Sequence, residues 1–395
     1  MKAHFQFRGV GAAVICLAVA VILSHRTELG VQVERVTLAG GTPALRFVPA
    51  GSGSHPIALM AHGVTASKET LFRFGEALAC AGFVCYAVDL PGHGESSRRF
   101  SPRDNVGILS QIARELGSVD VFVGHSMGAG AGAEAVREGG LHLRLFIAAG
   151  ASPYLGEHGP PLLLLSGEFE ELQLPAQLKE RTDARLVLSR WSDHALEPYD
   201  PILVNAAVES ACAAIGKTPP SPPTRWLWRL AGLLVAVPGA FLLALCFPEL
   251  PAKWKWARGP LVAGTFIVVV ILTTGTWLGA APVLRRVPMQ IFFIGIAWLL
   301  FRGAARIRLP HWSFAALGGG AAMGCAVAAI CVPSVTFWNP FFCFCALFAA
   351  CGALVLFAGT GVGWVATRGG SRRDGDFAMA IFIGYAFGQW MPVWL

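Results

Sequence analysis

The residues best placed for chemistry in this chain of 395 are Gly124-His125-Ser126-Met127-Gly128. They follow the apolar run VDVFV and lead into the small-residue, helix-prone run GAGAGAEAVRE. A serine on a tight strand-to-helix turn is held with its hydroxyl exposed, and glycines two residues to either side let the backbone and the helix come close. With 46 glycines in the chain, a bare G-x-S-x-G carries little weight. The strand-turn-helix setting makes Ser126 read as a nucleophile. A serine hydroxyl attacks only if a base removes its proton, and the base needs a carboxylate to orient it. His194, in Trp191-Ser192-Asp193-His194, follows the last apolar strand-like run, whereas His142 and His158 precede the last two such runs. Carboxylates cluster at Glu168, Glu170 and Glu171, and the bland reading of all three is a solvated acidic turn.

Two further segments stand at the ends of apolar runs: His62-Gly63-Val64-Thr65, and Asp89-Leu90-Pro91-Gly92-His93-Gly94-Glu95-Ser96. With GHSMG, in this order and spacing, they resemble the α/β-hydrolase superfamily over roughly residues 30–215, matching its H-G oxyanion segment and its D-x-P-G-H-G-x-S loop. The resemblance implies the chain order Ser, acid, His, which assigns Ser126 as nucleophile and His194 as base. The run LLLLSGEFEEL is similar to the family's strand ending in G-x-x-D and places Glu170 as the acid, with Glu168 next and Glu171 beside them. It also implies the backbone N–H groups of Met127 and Val64 as the oxyanion hole, a structural role for His62, and loop-fixing roles for Asp89 and His93. Asp193 is read as shaping the turn before the base. No cofactor and no metal is implied: the chain has no P-loop, no dinucleotide fingerprint after the first strand and no paired Cys/His spacing.

The elements that must position these residues alternate. Residues 31–38 and 43–48 read as an antiparallel hairpin at a sheet edge. Unbroken apolar runs at 57–61, 83–88, 119–123, 144–149, 161–165 and 185–189 read as strands buried on both faces, with helices at 67–80, 103–117, 126–138 and 197–215. The expected fold class is therefore α/β, an α/β-hydrolase-type mostly parallel sheet with helices on both faces, whose chemistry lies at the carboxyl ends of the strands. Only AAGASPYLGEHGP separates the runs at 144–149 and 161–165, too few residues for a lid domain, so an open site is expected.

Composition adds a second part. The chain is 54% hydrophobic and 14% charged. Residues 25–225 hold 17 Lys/Arg and 21 Asp/Glu, a net of −4, while the rest carries +11 among long apolar stretches. The total of +7 thus reads as a membrane-topology signal, and nucleic-acid binding, disorder and a disulfide-knit miniprotein are excluded. Residues 9–24 read as a signal peptide or a signal anchor. Further apolar runs at 227–247, 260–281, 288–302, 313–334, 341–366 and 377–394 suggest an all-α transmembrane bundle of about six helices. Loop basic residues, Lys253, Lys255, Arg258, Arg302, Arg306, Arg308, Arg368, Arg372 and Arg373, fall on alternate loops, which places residues 25–225 outside the cytoplasm of a bacterial inner membrane. Tryptophans near the span ends read as an interfacial belt, and Gly320 and Gly324 as a helix-packing pair. No charged side chain lies deep in these runs, so the bundle reads as an anchor or scaffold. Domain boundaries follow at 1–24, 25–217, a proline-rich linker at 218–225, and 226–395. A Cys80–Cys85 disulfide is conceivable in an oxidising compartment.

These readings converge on a membrane-anchored serine hydrolase acting on a small-molecule or lipid ester, with the bilayer as its partner, no nucleic acid and an unspecified assembly state. The alternatives are an acyltransferase or peptidase on the same triad, or an inactive hydrolase-like domain on a transport or docking module.

Overall fold

The computed structural model describes residues 2–25, 30–246 except 65, 171, 174, 182 and 191, 257–274, and short helical pieces between 291 and 383. The chain divides into two compact units, one formed by Thr27–Trp226 and the other by Met1–Arg26 with Leu227–Gly275 and later residues.

In the first unit, eight strands form one sheet: β1 (Val31–Leu38), β2 (Thr42–Pro49), β3 (Ile57–Ala61), β4 (Val84–Val88), β5 (Val121–His125), β6 (Leu145–Ala149), β7 (Leu162–Gly167) and β8 (Arg185–Ser189). Their order is β1-β2-β4-β3-β5-β6-β7-β8. β1 and β2 are antiparallel, β2 meets β4 antiparallel, and every later pairing is parallel. The central strands are apolar throughout because both their faces are covered. α2 (Phe72–Cys80) and α6 (Pro201–Ala214) bury Phe74, Leu78, Leu203 and Ala207 with Phe47, Met60 and Val123 on one face. α3 (Pro102–Leu116) and α4 (Met127–Arg137) bury Ile108, Leu109, Ile112 and Ala129 with Leu59, Phe122 and Phe146 on the other. A short α5 (Pro175–Lys179) precedes β8. The architecture is a mostly parallel sheet with helices on both faces, the arrangement that the resemblance implies.

Element ends differ from the periodicity reading in informative ways. The run at 119–123 enters the ladder only at Val121, because Asp120 is engaged ahead of it: its carboxylate accepts from Ile57 N at 3.0 Å. β5 then continues to His125, which brings the strand's carboxyl end up to Ser126. β7 extends past the run at 161–165 to Gly167 for the same reason of pairing, against Ser189 of β8. Ser126 stands outside the helix expected at 126–138, as the residue just before α4. The helix expected at 67–80 starts as a 3₁₀ turn at Lys68–Leu71. The stretch at 197–215 is interrupted at Asp200-Pro201: proline opens α6, where a missing N–H costs nothing, and Asp200 Oδ1 caps it by accepting from Ile202 N at 2.7 Å. Cys80 and Cys85 are not joined in a disulfide, and neither is Cys212.

In the second unit, α1 (Lys2–Ser24) packs along α7 (Trp226–Leu245) in the opposite direction. A Cβ added at Gly239 would meet Leu17 and Cys16 at 3.0 and 3.1 Å, and one at Gly232 would meet Ala20 and Ser24. The seven-residue spacing keeps both glycines on one face, so the two backbones approach closely. α8 (Arg258–Thr274) adds Phe266, edge-on to Phe241 of α7 with ring centroids 4.8 Å apart. Among the described residues one helix, α7, is long and apolar enough to cross a membrane, and the apolar part of α1, Gly9–Ser24, is shorter. That single helix is the described portion's support for a membrane region; a multi-span bundle is not shown. The run at 313–334 lies outside the described residues, as do most of those at 288–302, 341–366 and 377–394.

Candidate active site

The sharp turn between β5 and α4 is built by close packing. A Cβ at Gly124 would fall 2.6 Å from Ala129 N, and one at Gly128 would fall 2.7 Å from His62 O, so only glycine lets α4 start this near β3 and β5. The turn forces Ser126 to φ 50° and ψ −116°, and it is the only non-glycine residue with positive φ among those described. Such strain persists only where the surroundings over-determine it. Ser126 N donates to Ala149 O at 2.9 Å, which anchors the backbone.

The structure brings Ser126, His194 and Glu170 together. His194 Nε2 lies 2.9 Å from Ser126 Oγ, and its Nδ1 lies 3.0 Å from both oxygens of Glu170. Glu170 is buried and also accepts from Leu172 N at 2.8 Å and Gln173 N at 3.2 Å. Burial alone would raise its carboxyl, but hydrogen bonds with His194 and Glu197, the nearby imidazole and the Leu172 N–H outweigh that and hold it below the usual range. With Nδ1 donating to this carboxylate, Nε2 is the acceptor for the serine proton. Glu168 faces solvent, and Glu171 lies outside the described residues. Asp193 accepts from Ala195 N and Leu196 N at 3.0 and 2.9 Å, closing the turn that carries His194.

Met127 opens α4, so its N–H is among those that have no acceptor within the helix. Val64 is 43% exposed on the loop after β3, and the preceding residue abuts the nucleophile: a Cβ at Gly63 would sit 3.2 Å from Ser126 Cβ. His62 clips that loop in place. Its Nδ1 donates to Gly63 O at 2.7 Å while Nε2 accepts from Leu90 N at 3.1 Å, a pairing only neutral imidazole can make. His93 Nδ1 donates to Pro91 O at 2.9 Å within the same loop pair.

Three groups around the site have roles that the sequence did not reveal. Lys68 is fully buried, with Nζ 2.6 Å from Asp89, 3.3 Å from Glu69 and 3.1 Å from Glu95. In Ser67-Lys68-Glu69 it looks like any solvated charge pair. His125 packs against the base with ring centroids 5.0 Å apart and donates from Nε2 to His194 O at 2.9 Å. Glu197 is fully buried and accepts from Gly167 N at 2.9 Å. Its only sequence signal was its place three residues after His194.

His62 and His125 yield a stability prediction. Burial first, then neighbouring histidines, lowers each to about 3 from 6.5. Between those limits the unfolded chain binds protons that the folded chain refuses, so stability falls as pH drops from about 6.5 toward 3. The slope is up to about 1.4 kcal/mol per pH unit for each group, about 2.7 together. Urea unfolding at stepped pH measures it; a flat profile across that window would show that these imidazoles are not held neutral.

The family model described as the alpha/beta hydrolase family matches residues 58–391. Among solved structures, a predicted CIB-like hydrolase from Thermoplasma acidophilum is 17% identical, covering 46% of this chain and 98% of its own, with a TM-score of 0.39. An esterase from Mycobacterium tuberculosis is 17% identical over 51% of this chain and 97% of its own, TM-score 0.39. A membrane phospholipase A, described as a bacterial virulence factor, is 14% identical over 53% and 93%, TM-score 0.39. No curated protein matches the sequence. With the family model spanning most of its length, the chain belongs to the alpha/beta hydrolase family.

Proposed function

We propose that this hydrolase is a membrane-anchored serine esterase that cleaves an acyl or lipid ester through a covalent Ser126 acyl-enzyme, with its α/β domain on the extracytoplasmic side. The observation that carries the reading is the continuous path from Ser126 Oγ to His194 Nε2 at 2.9 Å and from Nδ1 to Glu170 at 3.0 Å. His194 takes the serine proton as Oγ attacks the ester carbonyl. Glu170 stabilises the imidazolium that forms without taking its proton. The negative charge on the carbonyl oxygen meets the N–H groups of Met127 and Val64, helped by the positive end of α4. His194 then hands the proton to the departing alcohol, and water, deprotonated by the same imidazole, releases the acid. No metal or cofactor takes part in this sequence. The preference for an ester at the bilayer rests on the apolar helices α1 and α7 that accompany the domain, and the extracytoplasmic placement on the distribution of basic loop residues.

Labelling of the detergent-solubilised full chain with a fluorophosphonate tests the proposal, with Ser126→Ala as the control. The expected result is a single label on Ser126, absent in the variant; a membrane-impermeant probe should also label it in intact spheroplasts. A folded preparation in which label is absent, or in which the alanine variant labels equally, would overturn the nucleophile assignment.

A further inference from the structure

We infer that His125, the residue before the nucleophile, is a positioning residue for the base: its Nε2–H holds the main-chain carbonyl of His194, and its ring spaces the base loop from the oxyanion loop. This inference rests on the esterase reading for its effect on rate, though not for the tautomer it requires.

Ser126, His194 and Val64 arrive on three separate loops, after β5, β8 and β3 respectively. His125 meets all three. It is the last residue of β5, covalently next to Ser126, and its backbone pairs with Ala149 of β6, so the sheet fixes where its side chain begins. The residue is 6% exposed. Its Nε2 lies 2.9 Å from His194 O, and the two imidazoles pack with centroids 5.0 Å apart and planes inclined at 39°. On the opposite edge of the ring, a Cβ at Gly63 would fall 2.8 Å from Nδ1 and 3.3 Å from Cε1, so the oxyanion loop lies directly against it. One ring thus stands between the loop that carries the base and the loop that carries Val64.

The partner decides the tautomer. A main-chain carbonyl has no proton to give, so the 2.9 Å contact requires the hydrogen on Nε2. Glu197 Oε2 is 3.9 Å from the same nitrogen, beyond hydrogen-bond distance. Nδ1 is buried with no hydrogen-bond partner, and a second proton there would be stranded out of water. The ring is therefore neutral, with Nε2 protonated and Nδ1 bare. The Asp193 carboxylate closes the turn around His194 through Ala195 N and Leu196 N, and Glu170 orients the imidazole through Nδ1. Those bonds shape the loop and aim the ring. The His125 bond adds a different constraint, because it ties the backbone of the base to the strand that ends at the nucleophile. A base held to a strand keeps its Nε2 within reach of Ser126 Oγ, and a shift of about 1 Å in such a contact can cost on the order of 10²-fold in rate.

Glutamine extends about as far as Nε2 and can donate its amide N–H to His194 O, whereas methionine fills similar space without a donor. In the full chain, His125→Met is expected to lower kcat for ester hydrolysis by roughly 10- to 100-fold with KM little changed, the size of effect that follows a misplaced catalytic group. His125→Gln is expected to recover most of the wild-type kcat. The His194 Nδ1 proton facing Glu170, which resonates far downfield of the amides, should persist in His125→Gln and broaden in His125→Met; altered packing without movement of the base would leave it unchanged. Should the methionine variant not fold, His125→Asn replaces it, since its shorter amide stands near Nδ1 and falls short of the carbonyl. Nitrogen spectra of the chain labelled with ¹⁵N-histidine should show, in the signals that vanish in His125→Gln, a protonated Nε2 and a bare Nδ1. The inference is overturned if the variant lacking the donor keeps kcat within about twofold of wild type, if His125→Gln loses as much as that variant, or if the His125 proton sits on Nδ1. Failure of Ser126-dependent turnover in the wild type would instead refute the esterase reading, and the nitrogen spectra still decide whether His125 holds the carbonyl of His194.

Discussion

Ser126→Ala is expected to lower kcat for an activated ester by about 10⁶-fold, and His194→Ala by a similar factor. The double variant should be no worse than either single one, because nucleophile and base act as a unit: with Oγ gone the imidazole has no proton to take, and with the imidazole gone the 2.9 Å contact to Oγ activates nothing. Glu170→Ala should cost less, on the order of 10⁴-fold, since the acid orients and stabilises the base but is not itself consumed. Rates of alcohol release, measured with purified variants at saturating ester, check all three. A residual rate over water of about 10³–10⁴ is expected in each, supplied by the backbone donors at Met127 and Val64 and by substrate binding. Retention of even a few per cent of wild-type kcat in Ser126→Ala would mean that a different group performs the attack.

Lys68→Met is expected to destabilise the α/β domain by about 3–5 kcal/mol, the usual cost of removing one partner from a buried ion pair. That corresponds to a fall in Tm of roughly 6–20 °C for a domain of this size. The volume is nearly conserved, so the loss is electrostatic: Asp89 is fully buried and Glu69 nearly so, and both would lose the ammonium they face at 2.6 and 3.3 Å. Asp89 also accepts from Lys68 N and Glu95 N at 2.8 Å each, so its carboxylate joins the segment after β3 to the loop after β4. The effect should reach the oxyanion side of the site, because His62 joins the same two segments. Arg35, about half exposed and 2.7 Å from Glu95, is the contrast: Arg35→Ala should cost under about 1 kcal/mol, as exposed pairs do.

The pH range of this network follows from its members. Burial disfavours the Lys68 ammonium, but Asp89, Glu69 and Glu95 outweigh it and raise its pKa above 10.5. Its contribution is complete below the unfolded value and is lost as pH rises through the folded one. For Glu95, burial is outweighed by Lys68 and Arg35, and its pKa falls below 4.5. Its contribution is present above the unfolded value and is lost as pH falls through the folded one. Between those limits Lys68 and Glu95 are both charged, so neither group should add a slope to the pH dependence of wild-type thermal unfolding from about pH 5 to about pH 9, within the ordinary carboxyl and lysine values.

Local sequence carried the fold class of the α/β domain because unbroken apolar runs separated by helix-length segments have few ways to bury both strand faces. It also located Ser126, since a turn that must be tight between a strand and a helix writes its glycines at fixed offsets. The position of His194 after the last strand was legible for the same reason of chain order. Which member of Glu168-Phe169-Glu170-Glu171 faces inward could not be read that way. The pairing of Gly167 with Ser189 and the Glu170 N to Gly167 O turn aim Glu170 at the imidazole while Glu168 stays in water. The roles of Lys68, His125 and Glu197 were invisible in the sequence because burial decides them, and nothing in Lys-Glu or Leu-Glu-Pro distinguishes a solvated charge from one sealed beneath a loop. What the chain by itself determined, then, was order and period: strand, elbow, helix and the succession of serine, acid and histidine, all set by spacing along the backbone. Tertiary structure alone decided the ionic and hydrogen-bonded contacts around them, because these join residues about 20 to 70 positions apart whose meeting depends on sheet register and on what is excluded from water.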